Sequence, residues 1–252
     1  MRGYAQYCPI AKASEILGDR WTLLIVREML GGAKGFNELQ RGLPGISRSV
    51  LTDRLRSLER AEIVERRTGP KGRTLGYGLT LAGRDLEPVV QAIGEWGATW
   101  SFTDPRPDEL DPDLLIVWMA RHVDREQLPL KRTVVRFDFR DPAKRYWMVL
   151  EPHEVSVCLQ PPGFDVDLQV GVDTATLYRV YLGRADLGGA MRARKLTLSG
   201  PRALQRAFGR WFAWSAFAPA SRRAEERRRS ALRLAIPEHV PVERSAPPRA
   251  ST

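Results

Sequence analysis

Several residue types that mark whole classes of protein are scarce in this sequence of 252 residues. It contains two cysteines, Cys8 and Cys158, which are too few and too far apart for a disulfide framework or a four-ligand zinc site. The N-terminus lacks the apolar core of a signal peptide, and no stretch approaches the roughly 18 apolar residues that span a bilayer. These absences predict a soluble, cytoplasmic protein that has no membrane partner.

Histidine is also scarce. His122, His153 and His239 stand apart, and no serine, carboxylate or metal-ligand spacing accompanies them. The sequence therefore predicts no catalytic residues, no metal site and no cofactor. We expect a protein that is not an enzyme, with an enzymatic C-terminal half as the alternative.

Positive charge, by contrast, is abundant. The net charge is +10 and the pI is about 10.1, which favours a polyanionic partner such as nucleic acid or an anionic membrane surface. Six arginines and two glutamates fall within residues 221–233 alone. Because this segment holds much of the excess charge, composition by itself does not select DNA.

The first hundred residues alternate between helical and strand-like patterns. Apolar spacing predicts short helices over 10–17, 21–30, 36–42 and 48–61, then strands over 63–67 and 77–80 around a glycine-rich turn. A long helix over 81–100 is expected to follow. The last three of these four helices, the hairpin and the closing helix follow the order of a winged helix-turn-helix domain.

The helix over 48–61 is the predicted DNA-reading element. At about 100° per residue, Leu51, Leu55 and Leu58 share one face and the polar residues lie opposite. For an isolated helix a solvated surface is the simpler interpretation, but the preceding short helix and the basic hairpin favour DNA. The candidate DNA-binding residues are Ser47, Arg48, Ser49, Thr52, Arg56, Lys71 and Arg73.

Residues 7–100 resemble the HxlR family of winged-helix regulators. The resemblance rests on CPIAKASEILGDRWTLLIVREML, FNELQRGLPGISRSVLTDRLRSLERAEIVERR and GRTLGYGLTLAGRDL. It implies a homodimer, joined through the N-terminal segment and the helix after the wing, on a double-stranded DNA operator. The helix over 81–100 is apolar on more than one face, which independently favours a partner.

The resemblance also makes Cys8 a redox candidate, because several family members use a cysteine at this Cys-Pro position to sense electrophiles or oxidants. Arg2 and Lys12 lie nearby in sequence and would favour a thiolate. The alternative is an inert cysteine packed at the dimer seam. Without a second cysteine nearby, an intramolecular disulfide switch is not expected.

The second half resembles the sterol-carrier-protein-like fold. The segments that carry this resemblance are YWMVLEPHEVSVCLQ and GFDVDLQVGVDTATLYRVYLGRADLGGAMRARKLTLSGPRALQRAF. Known members bind lipid-like molecules between a sheet and helices, which implies an apolar small-molecule effector here. Aromatic residues at this spacing are more often core. The candidate pocket residues are Trp118, Trp147, Phe164, Tyr178, Trp211 and Trp214.

Together these patterns predict an α+β chain with a winged-helix domain at 1–103, a linker at 104–112, a sterol-carrier-like domain at 113–235 and a disordered tail at 236–252. We expect a homodimeric, sequence-specific transcriptional regulator modulated by an apolar molecule bound in the C-terminal domain. The alternatives are redox sensing through Cys8 with a purely structural C-terminal domain, or an enzymatic C-terminal domain.

Overall fold

The computed structural model describes residues 3–70, 73–101 and 103–235. Short helices and one hairpin make up the N-terminal part, and a five-stranded sheet with helices makes up the C-terminal part. The predicted tail at 236–252 lies outside the described residues. The N-terminal elements are α1 (Pro9–Leu17), α2 (Thr22–Leu30), α3 (Phe36–Arg41), α4 (Arg48–Arg60), β1 (Val64–Thr68), β2 (Thr74–Leu79), α5 (Leu81–Arg84) and α6 (Glu87–Trp100).

The elements that follow are α7 (Pro112–Arg121), β3 (Thr133–Arg140), β4 (Ala143–Leu150), β5 (Val155–Cys158), β6 (Leu168–Val172), α8 (Thr174–Tyr181), α9 (Leu187–Arg192), β7 (Leu196–Ser199), α10 (Arg202–Ala207) and α11 (Ala218–Ala235). The predicted linker carries one short 3-10 turn, Pro107–Glu109. Asp111 directly precedes α7, and its carboxylate caps that helix.

An ion pair joins the turn between α1 and α2 to α4. Asp19, between α1 and α2, pairs with Arg54 of α4, and both side chains are largely buried. Trp21, the N-cap residue of α2, lies in the left-handed region with φ of 80° and packs against the winged-helix core. The G-D-R-W segment therefore fixes α2 against α4, the helix predicted to meet DNA.

The prediction of one long helix over 81–100 is wrong in one respect, because this segment forms two helices, α5 and α6. Thr80 caps α5 by accepting a hydrogen bond from the Gly83 amide, and α5 ends after one turn. Pro88 then lies in the first turn of α6, where its missing N–H is tolerated. Leu86 and Val90 pack against the winged-helix core, so part of the apolar surface faces this chain itself.

The C-terminal sheet has the order β5-β4-β3-β6-β7. Strands β3 and β6 are parallel, and the other neighbours are antiparallel. Along β4, Tyr146, Met148 and Leu150 face the main core, whereas Trp147 and Val149 form a small cluster on the opposite side. Because successive side chains of a strand point to opposite faces of the sheet, this alternation decides which aromatic residues contact the helices.

Two segments complete the C-terminal part after β7. Helix α10 ends at Ala207 and continues as a 3-10 turn, Phe208–Arg210, so Trp211 and Phe212 enter the core from an irregular segment. The arginine-rich segment at 221–233 lies within a helix, α11, which packs against α6 of the N-terminal part. Its small residues Ala220, Ser221 and Ala224 are buried at helical spacing, which permits this close packing.

Candidate DNA interface and interdomain site

Helix α4 buries one face and exposes the other. Ser47 is the N-cap, and its hydroxyl accepts a hydrogen bond from the Val50 amide at 3.2 Å. The predicted core side is confirmed, since Leu51, Leu55 and Leu58 are buried. On the other side Ser49 and Arg56 are exposed and Thr52 is half-buried, with its hydroxyl donating to the Arg48 carbonyl at 2.8 Å.

The two candidate arginines of α4 differ in their freedom. Arg48 donates to Asn37 Oδ1 at 3.3 Å and to Gln40 Oε1 at 3.1 Å, and it lies over the Phe36 ring. Arg56 has a looser contact, with its Nη1 3.8 Å from Asp53 Oδ1 and both side chains exposed. Arg56 is therefore the more available of the two for a new hydrogen bond.

The wing is a two-stranded antiparallel hairpin, closed by a hydrogen bond from the Gly69 amide to the Arg73 carbonyl at 2.8 Å. Arg73 is exposed at this turn. Lys71, the other wing candidate, lies outside the described residues. In β1, Arg66 makes two 2.9 Å contacts with Glu59 of α4, which tie the wing to the helix.

The six aromatic residues predicted to line a pocket between sheet and helices do not all lie together, although four of them form or pack against the main core. Trp211 is fully buried in the core, and Trp214 packs against that core while its indole donates to the Gly209 carbonyl. Trp147 lies on the far side of the sheet, and Phe164 is exposed beneath Arg132. Trp118 and Tyr178 are the members that line one common cavity. The predicted pocket is thus corrected, because helical and strand periodicity distribute its residues over different layers.

A cavity of about 670 Å³ instead lies between the two parts of the chain. Its N-terminal wall comes from the end of α2 and from one face of α6, including Val90, Gly94 and Ala98. Its C-terminal wall comes from α7, α8 and the segment around Phe217 that leads into α11. Sequence reasoning missed this site because it requires the packing of distant segments.

A buried carboxylate connects the two walls. Glu28 is 2% exposed, and its Oε2 accepts a hydrogen bond from Arg121 Nη1 at 2.7 Å. Its Oε1 accepts from Arg27 Nη2 at 2.8 Å and lies 3.4 Å from the Trp118 indole nitrogen. A Cβ at Gly42 would overlap this carboxylate, so the turn after α3 also closes over it. The sequence signal for this cluster was Glu28 itself, a charged residue that lies three positions after Ile25 on the buried face of α2.

Aromatic side chains form much of the C-terminal wall. The rings of Trp118 and Tyr181 are stacked, with centroids 6.4 Å apart, and Arg27 lies over Trp118. The Tyr178 hydroxyl donates to the Asp111 carbonyl at 2.9 Å. Burial raises the pKa of both Tyr178 and Tyr181, so these hydroxyls stay protonated.

The two cysteines lie in different parts of the chain. Cys8 is the half-buried N-cap residue of α1, and Cys158 is half-buried at the end of β5. Within the described ranges, no three His, Cys, Asp or Glu side chains are grouped as metal ligands. No helix in the part of the chain that the structure describes is long and apolar enough to cross a bilayer.

Comparison with known proteins decides the family. Residues 16–104 match the model of the HxlR-like helix-turn-helix family. A relative, the uncharacterized HTH-type transcriptional regulator YvaP of Bacillus subtilis, is 37% identical over 105 residues, which are 40% of this chain and 97% of YvaP. The chain belongs to the HxlR-like helix-turn-helix family. It joins this domain to a second one, because residues 121–212 match the SCP-2 sterol transfer family.

Other similar proteins cover the same N-terminal part. The HTH-type transcriptional regulator YodB of Bacillus subtilis is 38% identical over 91 residues, which are 35% of this HxlR-like chain and 81% of YodB. A solved structure titled as the redox regulator HypR in its reduced form is 36% identical, with a TM-score of 0.34, and covers 36% of this chain and 90% of HypR. The family assigns this protein to the DNA-binding HTH transcriptional regulators; these relatives leave its C-terminal half uncovered.

Proposed function

We propose that this protein is a homodimeric, sequence-specific transcriptional regulator whose DNA binding is adjusted by a small apolar molecule. The observation that carries the DNA-binding part is the exposed polar face of α4, with Arg56 weakly paired at its surface. Side chains of this kind bond to base edges in a major groove, and the exposed Arg73 of the wing suits a neighbouring phosphate.

The homodimer proposal is supported by exposed apolar surface. On α6, Val89, Ile93, Trp96 and Trp100 lie at spacings of three and four residues, and all are between 40% and 66% exposed. The N-terminal segment adds Tyr4, Tyr7 and Ile10, also exposed. Contiguous apolar surface of this kind is rare on a monomer and typical of an interface. Two copies joined there would present two α4 helices to one operator.

The effector proposal is supported by the apolar cavity between the domains. A molecule bound there would alter DNA binding if it favoured one arrangement of the dimer over another. We propose extraction of the purified protein with organic solvent, followed by mass spectrometry of the extract. A small apolar molecule released in stoichiometric amount would support the effector; a protein that carries nothing and responds to no cell extract in a DNA-binding assay would refute it.

A salt titration tests the DNA-binding part. Log affinity for duplex DNA should fall linearly with log salt, and Arg73→Ala should reduce that slope by about 1 if Arg73 contacts a phosphate. An unchanged slope in Arg73→Ala would remove the wing from the interface. Redox sensing through Cys8 remains the second candidate, since Cys8 is partly accessible at the N-terminus of α1.

A further inference from the structure

Two helices that line the cavity between the domains, α2 and α6, also have a second role in the N-terminal part. Helix α2 contributes Glu28 and Leu30 to its wall, and the same helix buries Ile25, Val26 and Met29 in the winged-helix core. On α6, the cavity-facing residues recur at spacings of three and four, on a different face from Ile93 and Trp96. A molecule in this cavity would therefore touch both the helix that supports α4 and the helix proposed to dimerise.

The size and walls of the cavity suit a small organic molecule. Its volume of about 670 Å³ lies within the usual range of ligand pockets, about 300–1,000 Å³. One wall offers the small residues Gly97 and Ala98, and the other offers the rings of Trp118 and Tyr181. Gly94 is covered by the Phe217 ring, which a Cβ at Gly94 would overlap. Small residues facing aromatic rings favour a planar ligand.

The four arginines in the described lining of the cavity already have partners. Arg27 and Arg121 both pair with Glu28, at 2.8 and 2.7 Å. Arg179 and Arg184 both lie within 4 Å of Asp104, at 3.6 and 3.4 Å. An anionic ligand would have to compete with these carboxylates, and a cationic ligand would have to displace an arginine. Because each arginine is already paired with a carboxylate, a neutral ligand is favoured.

One polar group in the wall lacks a partner. Ser221, in the first turns of α11, is 3% exposed, and its Oγ has no hydrogen-bond partner among the described residues. An unsatisfied buried hydroxyl is costly, and rotation about χ1 would let it bond to a ligand atom in the cavity. This hydroxyl would orient a ligand that packs on the aromatic part of the wall.

From these observations we infer that the interdomain cavity is the effector site and that it takes a neutral, planar, largely aromatic molecule with one hydrogen-bonding group. The inference rests on the proposed function for its biological meaning but not for its test. It also moves the binding site away from the space between the C-terminal sheet and its helices.

The test uses the full chain and Nile red, a neutral planar dye whose fluorescence rises in apolar surroundings. Gly97→Leu fills the cavity without a clash, because a Cβ there meets no atom within 4 Å. Ala216→Trp fills it from the opposite wall, where Ala216 is exposed. Ala92→Leu is the matched control, since Ala92 is exposed on α6 and does not line the cavity.

We expect the wild type to bind about one Nile red molecule per chain. Gly97→Leu and Ala216→Trp should each raise the dissociation constant at least about tenfold, and Ala92→Leu should leave it unchanged. Ser221→Ala should weaken binding less than the two filling variants. The anionic dye anilinonaphthalene sulfonate should not displace Nile red at equal concentration.

Three results would overturn the inference: no binding to the wild type, equal binding by all variants, or preferential binding of the anionic dye. Affinity for duplex DNA, measured on the same samples without dye, keeps the two proposals apart. Loss of dye binding with intact DNA binding concerns the cavity alone, and absent DNA binding with intact dye binding concerns the proposed regulator alone.

Discussion

Glu28 of α2 and Arg121 of α7 form a buried ion pair, 2.7 Å between Oε2 and Nη1, that joins the HxlR-like domain to the SCP-2-type domain. The residues lie 93 positions apart in the chain. Because the carboxylate is almost inaccessible, the winged helix packs well on the second domain only while this charge is neutralised.

Because of this pair, we expect the loss of Arg121 to lower the free energy of unfolding substantially. Arg121→Met keeps the aliphatic stem but leaves Glu28 with Arg27 alone, so we expect the free energy of unfolding to fall by about 2–4 kcal/mol. Arg106→Met removes an arginine from exposed pairs and should change stability by less than about 0.5 kcal/mol. Equal, small effects in urea unfolding would show that the interdomain pair contributes little.

Arg56 is expected to read a base. Arg56→Ala should weaken specific DNA binding by about 1–3 kcal/mol and affect non-specific binding less. Asp53→Asn, which removes the exposed carboxylate beside Arg56, should instead tighten binding to all sequences. Fluorescence anisotropy on specific and random duplexes separates these effects. Wild-type affinity in Arg56→Ala would place the specific contacts elsewhere.

The exposed face of α6 is expected to hold the dimer together. Ile93→Glu and Trp96→Glu place a charge on that face and should produce monomers in sedimentation at micromolar concentration. Ala82→Glu, on exposed α5, should remain dimeric. Val90 is unsuitable for this test because it packs against the core of its own chain. Monomeric wild type, or dimeric Ile93→Glu and Trp96→Glu, would contradict the assigned interface.

Glu38 gives a pH-dependent prediction. Hydrogen bonds from the Lys34 and Gly35 amides, at 2.9 and 3.1 Å, lower the pKa of this carboxyl. A depressed pKa stabilises the folded state above the ordinary glutamate pKa, and this contribution is lost as the pH falls through the lowered value. Glu38→Gln should therefore cost up to about 1 kcal/mol at neutral pH and progressively less in acid. Glu226→Gln is the control, because Glu226 is exposed on α11. If the difference in the free energy of unfolding between wild type and Glu38→Gln did not vary with pH, the ionised Glu38 carboxylate would not be the stabilising group.

If a molecule in the cavity controls DNA binding, Cys8 should be dispensable for DNA binding and for its regulation. Wild type and Cys8→Ser should bind DNA equally, and the thiol-oxidising agent diamide should not change the affinity of either. Diamide sensitivity in wild type that disappears in Cys8→Ser would favour redox sensing over the cavity. Cys158→Ser serves as the control for the other thiol.

Local patterns predicted the local features of the fold well. The Ser47 cap and the buried leucines of α4 follow from capping chemistry and helical periodicity, and both are confirmed. Trp147 and Phe164 were assigned to a pocket because composition shows aromatic content but not the side of the sheet. The segment at 221–233 was noted for its charge alone, because arginines dominate the pattern of a helix, α11, whose buried face consists of small residues. The cavity and the Glu28 cluster depend on contacts between distant segments, which periodicity does not reveal.

Selection from a pool of random duplexes is the most direct test of sequence-specific DNA binding by a homodimer. The full chain is incubated with the pool, bound DNA is recovered and sequenced, and the cycle is repeated with Arg56→Ala in parallel. We expect enrichment of an inverted repeat whose half-sites are centred about 10 bp apart, or a multiple of this, with weaker enrichment by Arg56→Ala. Recovery of no common motif, or of a single half-site with no repeat, would contradict a sequence-specific homodimer.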